Sequence, residues 1–167
     1  MYVTSSAIEN GRILDRYGSR GTQFDAKGMP TYSMSFEIHD APEGTGSFAV
    51  IFDDDDAVRV CGFTWVHWLI ADLKRTKVEE NESVSAKDFS QGVNSCHSCA
   101  GNSTVQEASG YGGPAPPDKE HLYTLKVFAL DRKTGLKDGF YLNDLKRAMD
   151  GHVLAHAKIA GLYKPKE

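Results

Sequence analysis

The apolar residues of this chain fall into short runs, and the length of these runs is what most constrains its fold. Residues 47–52, 65–71 and 121–130 are three such runs, each rich in β-branched or aromatic side chains. Residues 33–38 alternate polar and apolar side chains, which is the period of a strand with one buried face. Runs of this length and composition predict strands rather than long helices. The sequence therefore predicts a mostly β fold.

One helical pattern interrupts this β-rich sequence near the C-terminus. Apolar side chains recur there at the spacing of a helix face, at Leu142, Leu145, Met149 and Val153. Asn143 is the predicted N-cap of this helix, and residues 159–163 predict a short strand after it. Strand propensity alone does not distinguish a sandwich from a barrel.

Length, charge and cysteine content narrow the range of functions. A chain of 167 residues, 40% of them hydrophobic, fits one domain, which we predict to span residues 1–167. The net charge of -4 argues against a nucleic-acid binder, because such a protein needs a basic face to replace the counterions around phosphates. The apolar runs are far shorter than the ~20 residues of a membrane span. With no secretory pattern and an odd number of cysteines, we expect a cytoplasmic protein.

A long polar segment, residues 72–117, separates the second and third apolar runs and is dense in Ser, Asn, Gly and Pro. Irregular segments of this length inside a domain are usually functional. We expect it to wrap around the surface and to bring its end, Gly112, Gly113 and Pro114, to a binding site. Glycines there let the backbone approach a ligand and offer N–H groups to an anion.

The acidic run of residues 53–56 is the first candidate site. Asp54 and Asp56 are two residues apart, so in an extended chain their side chains point the same way and can act as a pair. On spacing alone, a solvated acidic turn is the simpler interpretation. The pattern lacks the glycine and the final glutamate of a calcium loop.

Two histidines lie in the apolar runs. Strict alternation would place His67 on one strand face with Trp65, and Trp68 on the opposite face. His121 would share a face with Tyr123. A histidine in an apolar strand is either a hydrogen-bonded core residue or a ligand-binding residue, and for His67 alone the core interpretation is the more common.

Cys96 and Cys99, in the sequence Cys-His-Ser-Cys, are a candidate redox pair, because two thiols at this spacing can form a disulfide. The alternative is a pair of ordinary loop thiols. A zinc site is disfavoured because adjacent Cys96 and His97 rarely bind one ion together, although Cys61 could supply a third sulfur. We therefore predict no metal.

In combination, these segments resemble the phosphatidylethanolamine-binding protein family, in its bacterial Raf-kinase-inhibitor-like branch. The similar segments follow the family's order over nearly the whole chain. They are residues 13–18, 53–57, 62–68 ending in His-Trp, 111–117 with Tyr-Gly-Gly-Pro-Ala-Pro-Pro, 121–123 with His-Leu-Tyr, 151–155 and 161–163. Each segment alone is weak evidence, but their combination is specific.

The resemblance implies two antiparallel sheets in a β-sandwich-like arrangement, short helices including one near the C-terminus, and a small pocket for phosphate-like anions. By motif position, the ligand-binding residues would be Asp54, Asp56, His67, Gly113, Pro114, Ala115, His121 and Tyr123. The chain departs from the family at Asp55 and Val58, which replace prolines, at Leu122, where Arg is common, and at Ala115, where Cys or Gly is usual. None of these departures removes a pocket side chain, but the added charge of Asp55 would weaken anion binding.

The resulting prediction is a binding protein for a small anionic or phosphorylated ligand, such as a phospholipid head group, with no cofactor and no catalytic residue. Carboxylates beside an imidazole favour its charged form, so Asp54 and Asp56 could hold His67 or His121 protonated. We therefore expect phosphate-type ligands to bind better at mildly acidic pH.

Other roles remain open at this point. The family resemblance allows a regulator of a kinase or another signalling partner, or an inhibitor of a kinase or protease that acts through surface contacts. It also allows a homodimer, although no residue of the sequence demonstrates one. Paired carboxylates with histidines could also hydrolyse phosphate esters. This enzyme alternative is disfavoured because no Ser or Cys nucleophile is linked by motif to the histidines.

Overall fold

The computed structural model describes residues 1–166. Over these residues the chain forms ten strands, which are β1 (Tyr2–Thr4), β2 (Ile8–Glu9), β3 (Arg12–Ile13), β4 (Phe36–His39), β5 (Ser47–Asp54), β6 (Trp65–Leu73), β7 (Lys77–Val78), β8 (Ser90–Gln91), β9 (His121–Leu130) and β10 (Val153–Tyr163). The α-helices are α1 (Val58–Cys61), α2 (Val105–Ala108) and α3 (Leu142–Met149). Single 3-10 turns cover Asp15–Tyr17, Glu82–Val84 and Ser95–His97.

The strands of this part of the chain form two sheets. The larger sheet has the order β2-β3-β10-β9-β5-β6-β8, and the smaller has the order β1-β4-β7. Neighbouring strands are antiparallel except β3 and β10, which pair in parallel through Arg12 and Leu162. The prediction of a mostly β fold with two sheets and short helices is thus confirmed.

Strand β5 is an inner strand of the larger sheet, between β9 and β6, and is buried along its whole length. Phe52 belongs to the core that includes Phe36 of the smaller sheet. Ile51 points to the other face, where it belongs to a second core with Leu145 and Met149 of α3. A strand covered on both faces has apolar residues at nearly every position. This explains why residues 47–52 form a continuous apolar run.

Helix α3 covers the outer face of the larger sheet, but it starts and ends differently from the prediction. It begins after Tyr141, whose N–H donates to the Asp144 carboxylate at 3.0 Å, and Asn143 lies inside the first turn. The predicted N-cap was wrong because Asp144 stabilises the helix start from its third position. Gly151, with a φ of 74°, follows the helix end, and Val153 starts β10 instead of continuing the helix.

The weakly patterned segments also form strands, with different bounds from those predicted. Only the end of residues 33–38 is in a strand, β4, and the strand predicted at 159–163 extends back to Val153. The polar segment 72–117 contains β7, β8 and α2, and its end returns to the larger sheet. In residues 1–166, no helix is both long enough and apolar enough to cross a membrane.

Candidate functional site

Three neighbouring strands of the larger sheet meet at one edge. Strand β5 ends at Asp54, which lies opposite Trp65 of β6 and Tyr123 of β9. Directly opposite residues of paired strands point to the same face of a sheet. His121 begins β9 two residues before Tyr123, so it points to that face as well. This edge therefore brings side chains from three separate segments to one cavity.

His67 shares this face with Trp65, as alternation along β6 predicts, and a β-bulge occurs at His67. Phe52 pairs with Trp68, but the next residue of β5 pairs with Val66, so His67 is the extra residue. The centroid of the His67 ring lies 5.5 Å from that of Phe52 and 5.1 Å from that of Tyr123. Trp68 packs in the same core. Strict alternation would place Trp68 on the face opposite to His67, and that prediction was wrong because the bulge brings Trp68 to the same face as His67.

The His67 imidazole is buried and neutral. Its Nδ1 lies 2.5 Å from the Gly112 carbonyl oxygen, and the Gly112 N–H donates to the His67 carbonyl at 2.8 Å. Because a carbonyl oxygen only accepts, Nδ1 carries the proton and Nε2 has a free lone pair. Burial lowers the pKa of His67 to about 4. The sequence indicates His67 and His121 as possible imidazolium donors. With this pKa, His67 is uncharged at neutral pH and does not act as one.

The His121 imidazole is equally buried but lies between two carboxylates. Its Nδ1 is 2.7 Å from Asp54 Oδ2, and its Nε2 is 2.8 Å from Asp118 Oδ1. A carboxylate accepts hydrogen bonds, so both ring nitrogens carry protons. Burial alone would lower the pKa of His121, but the hydrogen bonds and charges of Asp54 and Asp118 outweigh burial and raise it. His121 is the buried cation of the site.

Asp54 and Tyr123 complete the floor of the cavity. Asp54 uses its second carboxylate oxygen to accept the Ala57 N–H at 3.2 Å, which fixes it at the turn after β5. Tyr123 has only 1% of its surface exposed. Burial, with the nearby charge of Asp54, raises the pKa of Tyr123, so its hydroxyl keeps its proton. The floor thus combines one carboxylate, one imidazolium and one phenol.

Asp56 does not line this cavity. It is half-buried, and its carboxylate accepts the Leu122 N–H at 2.9 Å, which ties the turn after β5 to β9. Asp53 points to the opposite face of the sheet, where it pairs with Lys126 at 2.5 Å. Asp55 is exposed and accepts a hydrogen bond from Thr64 at 2.7 Å. The structure therefore brings one residue of the acidic run, Asp54, to the cavity.

The Gly-Gly-Pro loop forms the rim of the cavity. Gly112, Gly113 and Ala115 line it, whereas the buried Pro114 does not. The Pro114 carbonyl instead accepts the Ser19 N–H at 2.8 Å. A Cβ on Gly113 would lie 2.3 Å from the Tyr17 carbonyl oxygen, so only glycine fits there. Whether this loop binds a ligand stays a prediction. Pro114 itself does not line the cavity and contacts Ser19 instead.

A second wall comes from residues that the sequence did not indicate. The cavity has a volume of about 510 Å³ and is also lined by residues 27–30 and 100–103. The Lys27 ammonium donates to the Asn102 carbonyl at 2.7 Å and to Glu107 at 2.8 Å, which holds these two segments together. They are about 75 residues apart in the sequence and follow no strand pattern, so nothing in the sequence predicted their contact.

Two of the three cysteines lie at the cavity. Cys96 and Cys61 line the cavity, whereas Cys99 is exposed, and all three are free thiols. The Cys96 sulfur lies 3.0 Å from the Met29 sulfur, and burial raises the pKa of Cys96 to about 11. The redox pairing of Cys96 with Cys99 stays a prediction. Among the described residues, no group of three or more His, Cys, Asp or Glu side chains is arranged to hold a metal ion.

Comparison with known proteins agrees with this architecture. The model of the family described as phosphatidylethanolamine-binding protein matches residues 4–164. YxkA, an uncharacterized protein of Bacillus subtilis, is 38% identical over 155 residues, which are 90% of this chain and 92% of YxkA. A Chlamydia trachomatis relative is 33% identical over 169 residues, 98% of this chain and 99% of that protein.

Two solved structures have the same fold over nearly the whole chain. CT736 of Chlamydia trachomatis, described as a homologue of phosphatidylethanolamine-binding protein, aligns with a TM-score of 0.77 and 30% identity, covering 99% of this chain and 97% of CT736. YbcL of Escherichia coli aligns with a TM-score of 0.77 and 26% identity, covering 99% of this chain and 98% of YbcL. With the sequence match over residues 4–164, these similarities show that the chain belongs to the phosphatidylethanolamine-binding protein family.

Proposed function

We propose that this protein binds a small phosphorylated molecule in the cavity and recognises it mainly through the phosphate group. The observation that carries the proposal is the charge of the lining. The charged side chains that line the cavity are Lys27, His121 and Asp54, whereas Glu107 and Asp118, which pair with the two cations, lie outside the lining. A buried imidazolium next to a cavity favours an anionic ligand, because a charge-assisted hydrogen bond is about twice as strong as a neutral one.

The remaining groups suit a phosphate ester better than a free phosphate ion. Tyr123 keeps its proton and can donate one neutral hydrogen bond. Met29, Trp65 and Ala57 supply an apolar lining for an organic group next to the phosphate. A volume of about 510 Å³ is within the usual range for small-molecule sites, roughly 300–1,000 Å³. Relatives named for phosphatidylethanolamine make phosphoethanolamine a reasonable first probe.

The chemistry of the cavity favours binding over hydrolysis. Its lining includes the thiols of Cys61 and Cys96 as nucleophile candidates. Burial raises the pKa of Cys96 to about 11, so this thiol stays protonated and is a weak nucleophile at neutral pH. A protein that only binds its ligand needs neither an activated nucleophile nor a metal. We therefore propose a binding role without catalysis.

Calorimetric titration with phosphoethanolamine, inorganic phosphate and ethanolamine tests this proposal. We expect both phosphates to bind and ethanolamine not to bind. His121→Gln should weaken phosphate binding about tenfold or more, because it removes a hydrogen bond from a charged donor, worth roughly 1.5–3 kcal/mol. His156→Gln is the matched control, because His156 is an exposed histidine of β10 outside the cavity lining.

Two results would contradict the proposal. One is equal binding of ethanolamine and phosphoethanolamine, which would mean that the phosphate is not recognised. The other is release of inorganic phosphate from phosphoethanolamine by the wild-type protein but not by His67→Gln, which would mean that the protein is a hydrolase. Thermal unfolding of each variant establishes that the substitution has not unfolded the protein.

A further inference from the structure

Both hydrogen-bond donors of the buried cation are already occupied. His121 has two ring N–H groups, one directed at Asp54 and the other at Asp118, at 2.7 and 2.8 Å. The ring has 1% of its side-chain surface exposed and no further donor. A phosphate in the cavity therefore obtains a hydrogen bond from His121 only when one of the two carboxylates leaves.

The two carboxylates differ in how firmly they are held. The Asp54 side chain is 4% exposed, lies on β5 and also accepts the Ala57 N–H. The Asp118 side chain is 47% exposed and belongs to the loop between Pro117 and the start of β9, outside any strand ladder. Removing Asp54 from His121 would leave a charge buried without its partner, whereas Asp118 can rotate into water. Asp118 is therefore the carboxylate that can leave.

Other acidic residues close to His121 along the chain are held elsewhere. Glu120 forms an ion pair with Arg12. Asp56 accepts the Leu122 N–H. Neither carboxylate contacts the His121 ring, whose polar partners are Asp54 and Asp118. Asp118 thus occupies the outward donor of His121 alone.

We propose that Asp118 is an internal competitor for the phosphate, that it caps the outward N–H of His121 in the unliganded protein, and that a bound anion displaces it. The contact has two opposite consequences for binding. The negative charge of Asp118 helps to keep His121 protonated, but it also occupies the donor and repels an incoming anion. At a pH where Asp54 alone keeps His121 protonated, the competition dominates, and Asp118 lowers the affinity of the site.

This inference rests on the proposed function, and sulfate at pH 5.5 is the probe that tests it. Sulfate keeps a constant charge near this pH, so only the protein titrates. Asp118→Asn removes the competing charge and keeps the size of the side chain, and we expect it to bind sulfate at least fivefold more tightly than wild type. Glu120→Gln removes the same charge from the same loop without touching His121, and it should stay within about twofold of wild type.

The possible results distinguish a failure of the Asp118 proposal from a failure of the proposed anion binding. If Asp118→Asn binds sulfate more tightly than wild type and Glu120→Gln does not, the result supports competition between Asp118 and the anion. If Asp118→Asn binds sulfate as wild type does or more weakly, or if Glu120→Gln gains as much, Asp118 is not a competitor, but the anion site stands. If sulfate and phosphoethanolamine bind neither the wild type nor Asp118→Asn, the proposed function itself fails. Thermal unfolding confirms that both variants are folded in each case.

Discussion

The two histidines of the cavity are both buried, yet the protein shifts their pKa values in opposite directions. His67, on the β6 side, has a backbone carbonyl on one ring nitrogen, and burial lowers its pKa to about 4. His121, on the β9 side, has a carboxylate on each ring nitrogen, and these outweigh burial and raise its pKa. One ring is neutral and the other is charged at the same pH.

This difference arises because the hydrogen-bond partners of each ring act together with burial to set the charge of the histidine. The exposed fractions are 5% for His67 and 1% for His121, so desolvation alone would make both neutral. A carbonyl dipole does not compensate for the loss of water around an imidazolium, whereas two carboxylates do. The buried positive charge of the cavity, His121, therefore has a fixed position at the start of β9.

The largest expected effect on stability comes from removing the carboxylate of Asp54, which contacts His121. Asp54→Asn leaves the His121 imidazolium without its buried partner, and breaking a buried ion pair costs about 3–5 kcal/mol. We expect the free energy of unfolding at pH 6, measured with urea, to fall by about 3 kcal/mol or more. The control Asp55→Asn changes an exposed neighbour and should stay within about 1 kcal/mol of wild type. Equal losses in the two variants would mean that His121 does not depend on Asp54 for its charge.

The next effect isolates His67 through its pH dependence. The neutral form of His67 is favoured in the folded protein, so its contribution to stability is present above pH 6.5 and is lost as the pH falls toward 4. A shift from 6.5 to about 4 corresponds to roughly 3 kcal/mol over this range. The free energy of unfolding of wild type should therefore fall more steeply between pH 6.5 and 4 than that of His67→Gln, by about this amount.

His156→Gln, an exposed-histidine control, should keep the wild-type slope over the same range. Parallel curves for wild type and His67→Gln would show that His67 is as easily protonated in the folded protein as in the unfolded chain. In that case burial would not lower the pKa of His67, and the two histidines would not differ in the way described above.

The sequence predicts the strands that carry the two histidines and Asp54. The apolar runs 47–52, 65–71 and 121–130 lie in three adjacent strands of the larger sheet, two of which are buried on both faces, while the third is buried mainly on one. Asp54, His67 and His121, which the motif resemblance assigns to one pocket, lie on three adjacent strands and line one cavity. These features depend on local composition and on residue order, which a sequence displays directly.

The sequence does not predict what gives the two histidines different charges. The bulge that brings Trp68 beside His67 depends on how β6 pairs with β5, which is a property of two separate segments. Asp118 looks like an ordinary turn residue after two prolines, and its contact with His121 depends on how that loop folds back. Lys27 reaches the cavity through a contact with residue 102. Long-range geometry, rather than residue type, decides each of these.

The smallest expected signal is also the most direct measurement of the difference between His67 and His121: the titration of the two imidazole rings. Long-range 1H–15N correlation spectra of the protein report the protonation of each ring nitrogen. We expect His67 at pH 7 to be the neutral tautomer with its proton on Nδ1, and to titrate below pH 6.5. His121 at the same pH should carry protons on both nitrogens and lose one only above 6.5, and its contribution to stability should be lost as the pH rises through this raised pKa. A common midpoint for the two rings would mean that Asp54 and Asp118 do not hold a charge on His121, and the cavity would then have no buried cation to attract a phosphate.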